Sequence, residues 1–183
     1  MLALGSSAKT KTPALTEKEI IKGCKKGKAQ HQQELVRRFA PMLLTVCRRY
    51  LNDPSLAEDA LQETFIKIFR HIGKYKPYGS FEAWMRRVAV TTTLQMVDKA
   101  WYRRPMVEME DHLLDSQVPD IYAHLNAEEI LKLIARLPAG FRVVFNLYAI
   151  DGYSHREIAD LLGITESASR SQLTRARKQL IQL

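Results

Sequence analysis

The densest chemistry in this sequence lies near its C-terminus, where Ser167, Arg170, Ser171, Thr174, Arg175 and Lys178 recur at the spacing of one helix face. Such a face offers donors and acceptors to base edges and cations to phosphates, which is the chemistry of duplex DNA recognition. Ser169, Leu173, Ala176 and Leu180 form the opposite, inward stripe, with Gln172 and Arg177 at its flanks. A second constellation interleaves Tyr75, Tyr78, Phe81, Trp84, Trp101 and Tyr102 with Lys74, Lys76, Arg86, Arg87, Lys99, Arg103 and Arg104. Aromatic faces stack on unpaired bases while cations follow the backbone, so this pattern suits capture of a single strand. Phe81 and Trp84 fit a core equally well, whereas Tyr75 and Tyr78 stand in a loop with Gly and Pro that buries rings less readily. Asp59, Gln62 and Glu63 make a small polar patch on an otherwise cationic half, and alone they read as a solvated helix face.

Little in the chain suggests catalysis. Glu108, Glu110, Asp111 and Asp115 could be taken as metal ligands of a nucleic-acid enzyme, but their loop context supplies no rigid scaffold for an ion. Cys24 and Cys47 lack C-x-x-C spacing and fall in helical patterns, as small side chains in a reducing compartment do. No metal or cofactor is expected.

The elements that must position these residues are helical almost throughout. Residues 1–14 (MLALGSSAKTKTPA) carry no apolar period and read as a disordered tail. Thr16 and Glu19 form a capping box for a short helix limited by Gly23 and Gly27. Leu35, Phe39, Met42, Leu43, Val46 and Tyr50 give a second helix one buried face, which Pro41 is expected to kink. Asp53 and Pro54 open a third, lined by Leu61, Phe65, Ile68, Phe69 and Ile72. The stretch GKYKPYGS (73–80) is a loop, and Ser80 caps a long helix from Phe81 to about Trp101. Residues 105–126 hold Glu108, Glu110, Asp111, Asp115 and Asp120 and no Lys or Arg, which marks a flexible acidic linker. Beyond it, Ile130, Leu133, Ile134 and Leu137 begin a second helical unit, followed by a helix with Val144, Phe145, Leu147 and Tyr148. Ser154 and Glu157 cap the next helix, Gly163 ends it and Thr165 caps the last, the order of a helix-turn-helix. The expected fold is all-α, with two small helical domains at 15–104 and 127–183 joined by the linker.

The formal charge of +8 predicts a polyanionic partner. Because the linker carries about −5, the flanking units together hold about +13, so the basic character belongs to the folded parts. No run approaches the ~20 apolar residues of a membrane span, and the N-terminus lacks a signal-peptide core, so a cytoplasmic protein without membrane insertion is expected.

The order of these motifs resembles the extracytoplasmic-function (ECF) class of bacterial sigma factors across roughly residues 17–183. AEDALQETFIKIF (57–69) looks like that family's polymerase-binding helix, FEAWMRRVAV (81–90) like the helix after it, and YSHREIADLLGITESASRSQLTRARKQL (153–180) like its helix-turn-helix. The resemblance implies a non-enzymatic initiation factor whose partners are core RNA polymerase, promoter DNA and an anti-sigma factor, monomeric when free. By position, Asp59, Gln62 and Glu63 would meet the clamp coiled coil of the largest polymerase subunit. Lys74, Tyr75, Lys76, Tyr78 and Ser80 would receive an unstacked minus-ten base, with Trp84, Arg87, Thr91 and Gln95 on the supporting helix. Ser167, Arg170, Ser171, Thr174, Arg175 and Lys178 would read the minus-thirty-five element. Two departures stand out: Thr91 replaces an Asn common in the family, and Ala168 to Gln172 replaces the usual T-V-[KR]-S-R. The alternative is a helix-turn-helix repressor or activator that needs no polymerase-binding helix.

Overall fold

Local sequence signals set the helix ends. In the computed structural model, which describes residues 15–97 and 127–183, α1 spans Glu17–Lys25 and α2 Ala29–Tyr50. Helix α3 follows at Pro54–His71, a single 3-10 turn at Ile72–Lys74, and α4 at Phe81–Met96. The second half holds α5 (Ala127–Ala135), α6 (Ala139–Phe145), a π-type turn (Asn146–Ile150), α7 (His155–Leu162) and α8 (Glu166–Ile181). The described residues contain no strand and no helix long and apolar enough to cross a membrane. The expected N-terminal tail, the linker at 105–126 with its carboxylates, and Lys99 and Trp101 to Arg104 lie outside the described residues; α4 ends at Met96, short of the expected end near Trp101, because the backbone turns extended at Val97 (φ −67°, ψ 134°).

Capping boxes close α1 through Thr16 and Glu19 and α7 through Ser154 and Glu157. The Asp53 carboxylate accepts from the amides of Ser55 (2.8 Å) and Leu56 (3.2 Å), and Pro54 occupies the first helical position, where its missing N–H costs nothing. Gly163 ends α7 at φ +67°, a left-handed conformation that side chains with a Cβ resist.

Helix α2 is the hub of the first half, packing against α1, α3 and α4. Its Leu35, Phe39, Leu43, Val46, Cys47 and Tyr50 are buried, as the period-3.6 pattern requires. They meet Ala57, Ala60, Phe65 and Ile68 of α3 and Phe81, Met85, Ala89 and Leu94 of α4. Helix α2 continues through Pro41 as one element. Buried Thr93 donates to the Ala89 carbonyl at 2.8 Å, so it enters the core without an unmet hydroxyl proton. In the second half Val143, Val144 and Leu147 pack with Ile158, Leu162 and Leu173, while Leu137, Ala176 and Leu180 form a smaller cluster.

A polar tie joins the two helices of the helix-turn-helix beside their apolar contact. Ser169, fully buried on α8, shares a 2.9 Å hydrogen bond with His155 Nδ1 on α7, and the His155 ring stacks on Tyr148 at 4.5 Å. The Ser that departs from the family pattern therefore gains a partner at a site otherwise suited to an apolar residue. Burial, then the nearby Arg170 guanidinium, lowers the His155 pKa, partly opposed by Glu166.

Two expected outcomes follow from this packing. A Cβ at Gly23 would lie 2.0 Å from His31 Cδ2 and 2.7 Å from its Cβ, so Gly23→Ala forces α1 and α2 apart despite its better helix propensity. It should cost about 1–3 kcal/mol in urea unfolding, whereas Gly73→Ala, which meets nothing within 4 Å, should leave the midpoint unchanged. Because His155 titrates lower folded than unfolded, its contribution is intact above its ordinary value of 6.5 and is lost as pH falls below it. Stability measured between about pH 7 and pH 5 should decline, and His155→Gln should flatten that part of the profile.

Candidate nucleic-acid interface

Helix α8 sorts its side chains as a recognition helix must. Ser169, Gln172, Leu173, Ala176 and Leu180 are buried. Thr165 accepts from the Ala168 amide at 3.0 Å and fixes the first turn. Of the outward set, Ser167, Arg170 and Lys178 are exposed, and Ser171, Thr174 and Arg175 are half-buried. Arg170 pairs with Glu166 at 2.8 Å, both well exposed. Such a pair contributes little to stability and can yield to a phosphate or base. Thr174 donates to the Arg170 carbonyl at 3.1 Å, leaving its lone pairs outward.

The loop before α4 is partly an aromatic core and partly an open edge. Tyr75 is half-buried against Phe81 (5.0 Å between centroids) and Trp84 (5.2 Å), and Phe81 stacks on Trp84 at 5.6 Å. This corrects the expectation that both loop tyrosines stay open: Tyr78 is 88% exposed, but Tyr75 is anchored. Lys74 and Lys76 flank them, both exposed. Lys25 of α1, which the sequence pattern did not single out, donates to the Tyr75 carbonyl at 2.9 Å and lies 5.9 Å from its ring centroid. Ser80 caps α4 through the Ala83 amide at 3.0 Å.

Along α4, Ser80, Trp84, Arg87, Thr91 and Gln95 fall at steps of four, three, four and four, hence on one stripe. Trp84 and Thr91 are half-buried, and Arg87 and Gln95 exposed. The Thr91 hydroxyl donates back to the Arg87 (3.0 Å) and Val88 (3.1 Å) carbonyls, so outward it offers only lone pairs. Gln95 accepts from Lys67 of α3 at 2.7 Å. Arg87 and Tyr153 of the second half line one cleft, and the Tyr153 phenol is shifted up chiefly by burial, partly opposed by the Arg87 charge.

On α3, Asp59 and Gln62 are exposed and Glu63 is half-buried, 3.9 Å from Lys67. Leu56 and Ile66, 43% and 50% exposed, bracket them on the same face. The polar residues alone do not reveal these two apolar groups; their place off the buried stripe, three before and seven after Asp59, is the sequence signal. An acidic patch framed by exposed aliphatic groups presents both charge and apolar area to solvent. Among the described residues no group of three His, Cys, Asp or Glu side chains is placed to hold a metal ion.

The chain is similar to bacterial sigma factors. Residues 35–103 match the family model for Sigma-70 region 2 and residues 127–180 that for Sigma-70, region 4. The chain is 34% identical over 153 residues to the ECF RNA polymerase sigma factor SigE of Mycolicibacterium smegmatis, covering 80% of this chain and 59% of that longer relative. It is 26% identical over 178 residues to the ECF RNA polymerase sigma-E factor of Escherichia coli K12, covering 91% of this chain and 93% of that one. The fold resembles the sigma factor RpoE solved with the anti-sigma factor NepR from Bartonella quintana, at TM-score 0.50 and 18% identity over 82% of this chain and 94% of that one. Two region models in the right order, each covering the helices that carry one of the surfaces above, decide the family: the chain belongs to the sigma-70 family of bacterial transcription initiation factors, in its extracytoplasmic-function class.

Proposed function

We propose that the three surfaces act in one initiation event. The face of α3 with Asp59, Gln62 and Glu63, framed by Leu56 and Ile66, docks on the clamp coiled coil of core RNA polymerase. Tyr78, Lys74 and Lys76 receive an unstacked base of the melted minus-ten strand beside anchored Tyr75, while Trp84, Arg87, Thr91 and Gln95 support that strand. The outward side chains of α8 read the minus-thirty-five duplex from the major groove. The observation that carries this reading is that an acidic-apolar helix face, a cation-flanked aromatic loop edge and a capped helix with an outward polar and basic face occur on one chain, each exposed.

The chain's contribution is differential binding, with phosphodiester chemistry left to polymerase. Unstacking a base costs a few kcal/mol, and a stacked aromatic contact returns about 1–3 kcal/mol, so an exposed ring with flanking lysines can bias an opening that is otherwise uphill. Such a factor works in the cytoplasm, needs no cofactor, and is monomeric when free. The RpoE relative is solved with an anti-sigma factor, and an inhibitor of that kind would cover the polymerase-docking face here.

Run-off transcription with purified core polymerase tests the reading. Replacing Asp59, Gln62 and Glu63 together by Ala should abolish promoter-specific transcripts while leaving duplex binding by α8 intact, and Leu56→Ala with Ile66→Ala should weaken core binding by at least about tenfold. Transcripts that survive the triple variant would remove α3 from the interface, and tight duplex binding with no transcripts from wild type would favour a repressor. Arg170→Ala should lower affinity for the preferred duplex about 10–100-fold and flatten discrimination at one base pair across a panel of sequences.

A further inference from the structure

Exposed arginines on three helices of this chain come with a carboxylate one turn away: Glu34 with Arg37 on α2, Glu82 with Arg86 on α4 and Glu166 with Arg170 on α8. Helix α1 is built differently. It buries Ile20, Gly23 and Cys24 on its inward side, and on the opposite side Lys18, Lys22 and Lys25, all exposed, recur at steps of four and three. Glu19 is taken up by the capping box, its carboxylate accepting from the Thr16 amide at 2.8 Å. Lys26 and Lys28, also exposed, follow at the end of the helix. Among the described residues none of these lysines is ion-paired.

The lysine stripe runs into the loop that receives the unstacked base in the reading above. Lys25 donates to the Tyr75 carbonyl at 2.9 Å, and the Tyr75 phenol donates to the Gly79 carbonyl at 3.4 Å, so α1 is tied through one residue to the turn that presents Tyr78. The Lys25 ammonium keeps two further N–H groups for another acceptor. Neither residues 20–33 nor residues 64–81, the two stretches brought together here, contain an Asp or Glu. A polyanion that leaves the Tyr78 edge toward α1 therefore meets lysines and no repelling carboxylate. From Lys18 to Lys25 is about 10 Å along the helix axis, and a stacked strand offers a phosphate about every 3.4 Å, so the stripe can meet about three phosphates in a row.

We propose that Lys18, Lys22 and Lys25 form a phosphate track that continues the minus-ten edge and holds the melted strand where it passes α1. The proposal rests on the promoter-binding reading given above. Cations strung along a line give affinity for an unpaired backbone without reading its bases, and flexible ammonium groups follow a strand whose path is not fixed. No large apolar side chain of α1 is exposed, in contrast to Leu56 and Ile66 beside Asp59 on α3. A stripe of cations without apolar area suits a solvated phosphate backbone better than a protein surface.

The test titrates reconstituted holoenzyme with a labelled single strand carrying the minus-ten element of its promoter, alone or lengthened at its 5′ or its 3′ end by about eight thymidines, within the site size of a single-strand groove. The variant is Lys18→Ala with Lys22→Ala, which keeps the Lys25 bond to the loop. Arg48→Ala with Arg156→Ala, both exposed, on α2 and α7, is the charge-matched control. Wild type and control should bind one of the lengthened strands more tightly than the short one, and the α1 variant should bind that strand about 10–30-fold more weakly near 0.1 M salt. Its slope of log affinity against log salt should fall by about 1.4, at about 0.7 per phosphate. Binding to the short strand and to core polymerase should stay at the wild-type level. No length preference in wild type, or a variant slope equal to the control's, overturns the track. A loss of core affinity overturns it too, because the stripe then faces protein. Tyr78→Ala separates the two readings. If it leaves short-strand binding unchanged, the loop reading fails and its continuation falls with it; a clear Tyr78 effect beside an unmoved lysine slope overturns the track alone.

Discussion

A helix ends with carbonyls that its own backbone cannot bond, and the C-terminal turn of α2 meets that constraint with residues about a hundred positions away. The Arg49 carbonyl is taken by Asn146, and Arg142 reaches the Tyr50 carbonyl at 3.5 Å. The same Arg142 donates to the Ala135 and Leu137 carbonyls at 3.1 and 3.0 Å, so one guanidinium serves the ends of two helices. A cation there is also favoured by the negative end of each helix dipole. Since α1, α3 and α4 all pack on α2, the end of this helix is where the first half is held together and where the second half attaches.

That attachment is specific without being strong. Asp151 accepts from Arg49 Nη2 at 2.8 Å and from the Tyr50 hydroxyl at 2.5 Å. Taking Arg49 and Asp151 out of water costs several kcal/mol per ion, which their attraction and the Tyr50 hydrogen bond roughly return. An apolar seam of equal size would hold the halves more firmly and discriminate less between registers. A polar seam sets one geometry and still lets go.

Much of the fold was legible locally. Capping boxes at Thr16 and Ser154, the glycine at 163 and the inward stripe of α8 are decided by neighbours within one or two turns, and each stands where the pattern put it. The features that were not legible depend on distant partners. Tyr75 looked like an open loop residue because its burial comes from Phe81, Trp84 and Lys25. Ser169 looked misplaced because His155, fourteen residues away, supplies its bond. Gln172 was assigned to a flank and is buried, since helix periodicity fixes a direction only to within a residue's breadth. The Asp151 cluster joins residues separated by 101 and 102 positions, and no periodic signal spans that distance.

The exposed pair between Arg170 and Glu166 bears on how the recognition helix responds to ionic strength. A cation that approaches duplex DNA alone displaces about one condensed counterion per phosphate it neutralises. Arg170 instead brings its own carboxylate, which must be turned out as the guanidinium engages and then lies within the negative potential of the duplex. Part of the entropic gain would thereby be exchanged for a local repulsion, so the proposed minus-thirty-five contact of α8 should depend on salt less steeply than its tally of positive side chains suggests. In the proposed role, a carboxylate one helical turn upstream would act as a buffer on promoter affinity against changes in salt.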